Sequence, residues 1–323
     1  MKKLIAAAVA SSMTAFAMAD ISITGDAKYE YDLNDNNGTK TATANTEAHI
    51  NFTGKSGDTT FVAKFQLVEN ATDGDFDMED TYISTKVAGI GIKAGNYAGS
   101  TSGLAGEIEE GGRSHGKVML SYKLGDIDLY AGNGGESLAA GTVGADQPVN
   151  GNMFAGARTS VAGQTVEIKK NSDTLDSFGI KGSAGNVNYR YETQDSDTYG
   201  DAYYAEVATT VSGVTIQYAT LDADNAAMLT EDDSAVFALE SGNYSDSDGQ
   251  DQIAVSTTVD GNKITVKSGT VDKGISTSVD KDYTQLSVSR ALASGATAVV
   301  TYTDQDMASG DKQNLEIELN VKF

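Results

Sequence analysis
The residues able to do covalent or metal chemistry are few in this chain, and their spacing argues against catalysis. There are two histidines, His49 and His115, and no cysteine. Neither histidine falls in an H-x-x-E or H-x3-H spacing, the patterns that bring two ligands to one metal. Ser114 stands immediately before His115, and sequence neighbours are poorly placed for the hydroxyl–imidazole hydrogen bond of a nucleophile–base pair. An enzyme is therefore not expected, and no catalytic residue and no organic cofactor are assigned. Acidic runs do occur, at Asp73-Gly74-Asp75-Phe76-Asp77, Glu231-Asp232-Asp233 and Asp246-Ser247-Asp248-Gly249. None has the spacing of an EF-hand loop. They read as solubilising charge, with weak loop-bound divalent cations the most they would supply.

What remains is charge set at alternate positions, and that points to strands. Ile21, Ile23, Gly25, Ala27, Tyr29, Tyr31 and Leu33 share one face of an extended segment, with Ser22, Thr24, Asp26, Lys28 and Glu30 on the other. Ala48, Ile50 and Phe52 alternate with Glu47, His49 and Asn51, and Phe61, Ala63, Phe65 and Leu67 with Val62, Lys64 and Gln66. The sharpest case is 313–323, where Leu315, Ile317, Leu319, Val321 and Phe323 oppose Asn314, Glu316, Glu318, Asn320 and Lys322. This is the period of a pleated strand, and no continuous apolar run marks a conventional core.

Short turns centred on Gly57, Gly89, Gly125, Gly163, Gly185, Gly213, Gly261 and Gly295 alternate with longer polar segments, of which 34–43 is the first. Glycine suits such turns because it accepts positive φ at no steric cost. Eight tight turns with both ends of the chain on one side give 2 × (8 + 1) = 18 strands. The short segment 166–169 and an uncounted one at 235–239 widen that to 16–18. The fold expected is all-β: a transmembrane antiparallel β-barrel with short periplasmic turns, long extracellular loops, apolar residues toward lipid and charges toward a wet lumen. By alternation, Lys28, His49, Lys64 and Lys93 face inward. Tyrosines near strand ends (Tyr31, Tyr122, Tyr130, Tyr191, Tyr218, Tyr302) would form interfacial girdles. Closure would pair 313–323 with 21–33, leaving no open edge in lipid.

The first residues add a destination. Lys2 and Lys3, an apolar run to Phe16 and Ala17-Met18-Ala19 have the form of a cleaved secretory signal peptide over 1–19, leaving 20–323 as the barrel domain. Loss of Lys2 and Lys3 takes 23 basic residues to 21 against 46 acidic ones, a net charge near −25. Nucleic acid is thereby disfavoured as a partner.

Asp80-Thr81-Tyr82-Ile83-Ser84-Thr85 followed by Gly89-Ile90-Gly91-Ile92-Lys93-Ala94-Gly95 resembles the fourth and fifth strands of the general diffusion porins of Gram-negative bacteria. Arg113 to Tyr122 resembles their sixth, and the strand ending in Phe323 resembles their assembly signal. Asn96 stands where that family often has Arg. The resemblance implies a homotrimer in the outer membrane, surrounded by lipid and lipopolysaccharide and inserted by the barrel assembly machinery. It implies a water-filled channel for ions and small hydrophilic solutes. It also implies that 97–115 folds into the lumen, with Glu107, Glu109 and Glu110 as an acidic constriction opposed by Lys28, His49, Lys64 and Lys93. With acids in excess, cation preference is expected. Two alternatives stand beside this. One is a secreted acidic β-rich adhesin or surface-layer protein. The other is a substrate-selective outer-membrane channel, for phosphate for example, which would want a lysine ladder along one wall. Against that ladder, inward acids (Asp26, Glu30, Glu47, Asp128, Glu167, Glu192, Glu206, Glu316, Glu318) outnumber the four inward bases named.

Overall fold
The computed structural model describes residues 20–69, 74–97, 114–133, 153–171, 175–197, 200–224, 237–238, 249–272, 281–306 and 311–323. These form eighteen strands, with no helix among the described residues. In chain order they are β1 (Asp20–Asn36), β2 (Thr39–Ser56), β3 (Thr59–Glu69), β4 (Gly74–Val87), β5 (Ile90–Tyr97) and β6 (Ser114–Leu124). Then come β7 (Ile127–Asn133), β8 (Met153–Val161), β9 (Gln164–Asn171), β10 (Leu175–Ala184), β11 (Val187–Ser196) and β12 (Gly200–Val211). The last six are β13 (Val214–Ala223), β14 (Gly249–Val259), β15 (Asn262–Asp272), β16 (Lys281–Ala291), β17 (Ala296–Asp306) and β18 (Lys312–Lys322). Each pairs antiparallel with the next, and β18 returns to β1, so the sheet closes on itself without an edge.

The seam runs from Asp26 opposite Lys322 to Asn36 opposite Lys312. Beyond it the Gly25 N–H donates to the Phe323 carbonyl at 2.8 Å, and the Phe323 N–H donates to the Gly25 carbonyl at 2.9 Å. All eight expected turn glycines have positive φ, between 57° and 86°. At Ser212-Gly213 both residues do, 52° and 81°, as a type I′ hairpin turn requires. The stretch 34–43, expected as a loop, instead continues β1 and β2, with Asn36 opposite Thr39. Asn37 and Gly38 turn the chain at φ 52° and 83°. Asn-Gly is a strong two-residue hairpin signal, and its polar neighbours obscured it. Residues 153–171 form two full strands about Ala162-Gly163. The count is thus eighteen rather than sixteen. Phe237 and Ala238 lie outside any strand.

Burial is inverted relative to a water-soluble protein. Val161 is 60% exposed and Phe323 65%, whereas Glu167 is 3% exposed and Gln194 1%. Large apolar side chains line the outside along most strands (Ile23, Leu124, Ile168, Val211, Ile317), and polar ones turn inward. None of the described residues forms a helix long and apolar enough to cross a membrane. A closed barrel, apolar outside and polar within, crosses with strands instead. Tyr122, Tyr191, Tyr218 and Tyr302 are exposed on the outer face. Tyr130 departs from the expected girdle: it is buried, with its hydroxyl on the inward Glu167.

Candidate pore lining
Cross-strand register sorts the inward side chains into three arcs. The first is acidic and spans β18, β1 and β2. Glu30 lies opposite Glu318 and Asp32 opposite Glu316 across the seam. Lys28 Nζ is 2.9 Å from Glu30 and 3.7 Å from Glu47. His49 Nδ1 is 3.0 Å from Asp26 and Nε2 is 2.9 Å from Glu47. Gln66 Nε2 donates to Glu47 at 2.7 Å. Lys28 and His49 therefore face inward among acids, Lys28 as a counter-charge and His49 as a close side-chain partner of Asp26 and Glu47. Glu30, Glu316 and Glu318 can bring one oxygen each within 4.8 Å of one another. Lys28 already holds Glu30, and Asn320 Nδ2 donates to Glu318 at 2.9 Å. That donor set suits a charge-compensated wall better than a divalent metal, which wants open carboxylate oxygens.

The second arc is basic and runs over β5 to β11. Lys93 leads it, with Nζ 4.1 Å from the Tyr82 ring centroid and 3.9 Å from that of Tyr97. Lys117 Nζ approaches the same Tyr97 ring at 5.5 Å. These are cation–π distances, and both tyrosines turn their faces to the ammonium groups. Arg158 on β8 places Nε and Nη2 each 3.0 Å from Glu167 Oε2, while the Tyr130 hydroxyl donates to Glu167 Oε1. Lys181 lies opposite Arg190, and Lys169 is buried on β9, opposite Ser177 of β10 and Gly156 of β8. Arg190 Nε stands 4.0 Å from Glu206. Lys64 belongs to neither arc: it sits between, opposite Asn51 on one side and Asp80 on the other.

The third arc, β12 to β17, is mainly amide and aromatic surface, with Glu206 on β12 and Lys267 on β15 as charged members. Gln250, Gln252 and Gln305 are buried there, with Tyr204 and Tyr283. Phe237 and Ala238, from the β13–β14 connection, dock on it. The Ala238 N–H donates to Gln252 Oε1 at 2.8 Å, Lys267 Nζ donates to the Phe237 carbonyl at 3.3 Å, and Gln285 Nε2 donates to the Ala238 carbonyl at 3.4 Å. The Phe237 ring meets Tyr204 edge-on, centroids 6.3 Å apart. This is an inward-reaching connection among the described residues. Glu107, Glu109 and Glu110 of the expected constriction lie outside them, as do the acidic runs at 231–233 and 246–248.

Lys117, Arg158, Lys169, Lys181 and Arg190 were not named from sequence as lumen residues. The signal is present for three of them, where an outward apolar residue stands beside the charge: Val118 beside Lys117, Ile168 beside Lys169 and Tyr191 beside Arg190.

No protein family matches the chain and no characterised protein matches its sequence. Solved structures do match its shape. The chain is similar to Pseudomonas aeruginosa OccK2 (OpdF) at TM-score 0.67 and 11% identity, covering 94% of this chain and 98% of that one. It is similar to P. aeruginosa OccK8 (OprE) at TM-score 0.62 and 14% identity, with 94% and 98% covered. OccK2 in complex with glucuronate matches at TM-score 0.68 and 11% identity over the same shares. The architecture is that of outer-membrane porin barrels, and the apolar outer face fits it to a lipid bilayer.

Proposed function
We propose that this chain is a substrate-selective outer-membrane channel that admits small hydrophilic solutes bearing a carboxylate. The observation carrying this is the basic arc, in which Arg158 on β8, Lys181 on β10 and Arg190 on β11 stand across the closed sheet from the acidic seam of β18, β1 and β2. Separated charge of opposite sign sets a transverse field, which orients a solute carrying an anionic end and a polar body. The half-buried inward Gln217, Gln285 and Thr301 of the third arc would meet the hydroxyl groups of such a solute. Glucuronate is the ligand of one structure of similar fold and has this form. Export with loss of 1–19, a homotrimer, contact with lipopolysaccharide and insertion by the assembly machinery belong to the same proposal. So does the absence of catalysis and of a cofactor.

In liposomes, glucuronate should enter faster than glucose, and Lys181→Gln with Arg190→Gln should remove the difference. Equal entry of the two through the unaltered protein would overturn the reading. Arg158 is a poorer choice for that test, because its loss would strand the buried Glu167.

A second reading is a general diffusion porin with cation preference, favoured by the net charge of −23 and the acidic seam. Surface charge acts within about 8 Å at physiological ionic strength, so loop acids would lose influence at high salt. Glutamine at Glu107, Glu109 and Glu110 should then remove whatever cation preference survives in molar potassium chloride, read as reversal potential. A preference unchanged in that triple variant would count against these three as the constriction.

A further inference from the structure
We infer that Gly156 and Gly269 set the bore of the channel by giving two lumen-facing tyrosines a flat seat on the barrel wall; the inference rests on the channel reading above. Tyr130 on β7 lies directly opposite Gly156 on β8, and its hydroxyl donates to Glu167 on β9. Tyr283 on β16 lies opposite Gly269 on β15, and its hydroxyl donates at 3.1 Å to Gln252 on β14. Gln252 is the partner of Gly269 on the far side. Both tyrosines start on one strand, cross the next at a glycine and end on the third. They are straps laid along the wall.

The space beneath each ring admits only hydrogen. A Cβ on Gly156 would lie 2.2 Å from Tyr130 Cζ and Oη, and one on Gly269 would lie 2.6 Å from Tyr283 Oη. Neither glycine has a left-handed φ, so the backbone does not ask for glycine at these positions. Glycine inside a strand weakens it, and a close approach from a neighbour is the usual reason for keeping one. A side chain on a strand ordinarily stands perpendicular to the sheet. On an inward position that direction is the lumen. Laid over glycine, Tyr130 is 8% exposed and Tyr283 2%. The rings have become wall rather than obstruction.

Two further facts fit. Phe154 on β8 lies over Gly132 on β7, where a Cβ would meet its Cζ at 2.6 Å, so β7 and β8 exchange ring and glycine. Each strap also ends on the residue that organises its arc. Glu167 holds Arg158, and Gln252 holds the Ala238 N–H. The straps therefore stand on the basic and the amide walls.

Single-channel conductance in planar bilayers tests this, with heat-modifiable gel mobility as the check that the barrel has closed. Gly156→Ala is the cleanest variant, because the three atoms nearest its Cβ all belong to the Tyr130 ring, whereas Gly269 is also pressed by the Asp251 carbonyl. Its conductance should fall by roughly a fifth to a half, as a displaced ring narrows an aqueous pore. Gly156→Ala with Tyr130→Ala should recover the wild-type value or exceed it. Gly54→Ala, with nothing within 4 Å of its Cβ, should leave conductance unchanged. A folded Gly156→Ala channel of wild-type conductance overturns the inference. If Gly156→Ala does not close, Tyr130→Ala alone decides: a small rise supports a ring already in the wall, and a rise of twofold or more shows that the ring blocked the lumen. Absence of any channel in the unaltered protein would instead defeat the channel reading on which this rests.

Discussion
Glu167 is the residue on which the basic arc is hung. It is 3% exposed, yet it accepts from the Tyr130 hydroxyl and from two nitrogens of Arg158. Two N–H donors of one guanidinium converge on one oxygen, and the phenol takes the other. Arg158 keeps a third of its side chain exposed, so the two partners are not equivalent. Removing the arginine leaves a buried carboxylate without its cation; removing the carboxylate leaves a guanidinium that water can reach. Arg158→Ala should therefore lower stability more than Glu167→Gln. The expected loss is about 3 kcal/mol, the lower end for breaking a buried pair, checked by urea unfolding of the folded barrel in detergent micelles. Equal losses would mean that the lumen solvates Glu167 without help.

At the scale of elements, the seam and the turns carry the fold. β18 meets β1 over eleven register pairs, and Phe323 extends them through its two hydrogen bonds with Gly25. The Phe323 ring lies over Gly25, where a Cβ would come 2.6 Å from its Cζ. This places the expected assembly residue in a defined seat on the partner strand. Phe323→Ala should slow closure, seen as a larger fraction of barrel that runs unfolded on an unheated gel. If the heat-modifiable fraction matches wild type, the ring contributes nothing to the seam. Among the turns, Gly213 at φ 81° follows Ser212 at 52°. Gly213→Ala should cost roughly 1 kcal/mol or more, because a Cβ is disfavoured at that φ; a melting curve superimposable on wild type would contradict it.

For the whole molecule, lipid and water must be told apart by parity alone. Ile50 lies opposite Phe65 and Gly25 on the outer face, and Asn51 opposite Lys64 and Thr24 on the inner one. Ile50→Lys should cost roughly 2–4 kcal/mol if it sits at the bilayer midplane, whereas Asn51→Lys should be nearly silent for stability. Unfolding from lipid vesicles compares the two. Equal penalties would mean that the alternation does not separate membrane from lumen.

The sequence by itself determined the strand period, which face of β1, β2, β3 and β18 is apolar, the eight glycine turns and the inward direction of Lys28, His49, Lys64 and Lys93. These are local properties: two-residue periodicity and the freedom of glycine need no knowledge of neighbours. The tertiary structure decided what each inward charge faces. Parity puts Lys28 in the lumen, but register puts it against Glu30 and Glu47 rather than on a basic wall. Arg158, Lys181 and Arg190 were not assigned to the lumen from sequence; closure sets them on β8, β10 and β11, facing an acidic seam. Likewise Gly156 looks like a weakness in β8 until Tyr130 is laid across it. Cross-strand partners are set by loop lengths and closure, which act over distances that periodicity in one segment does not record.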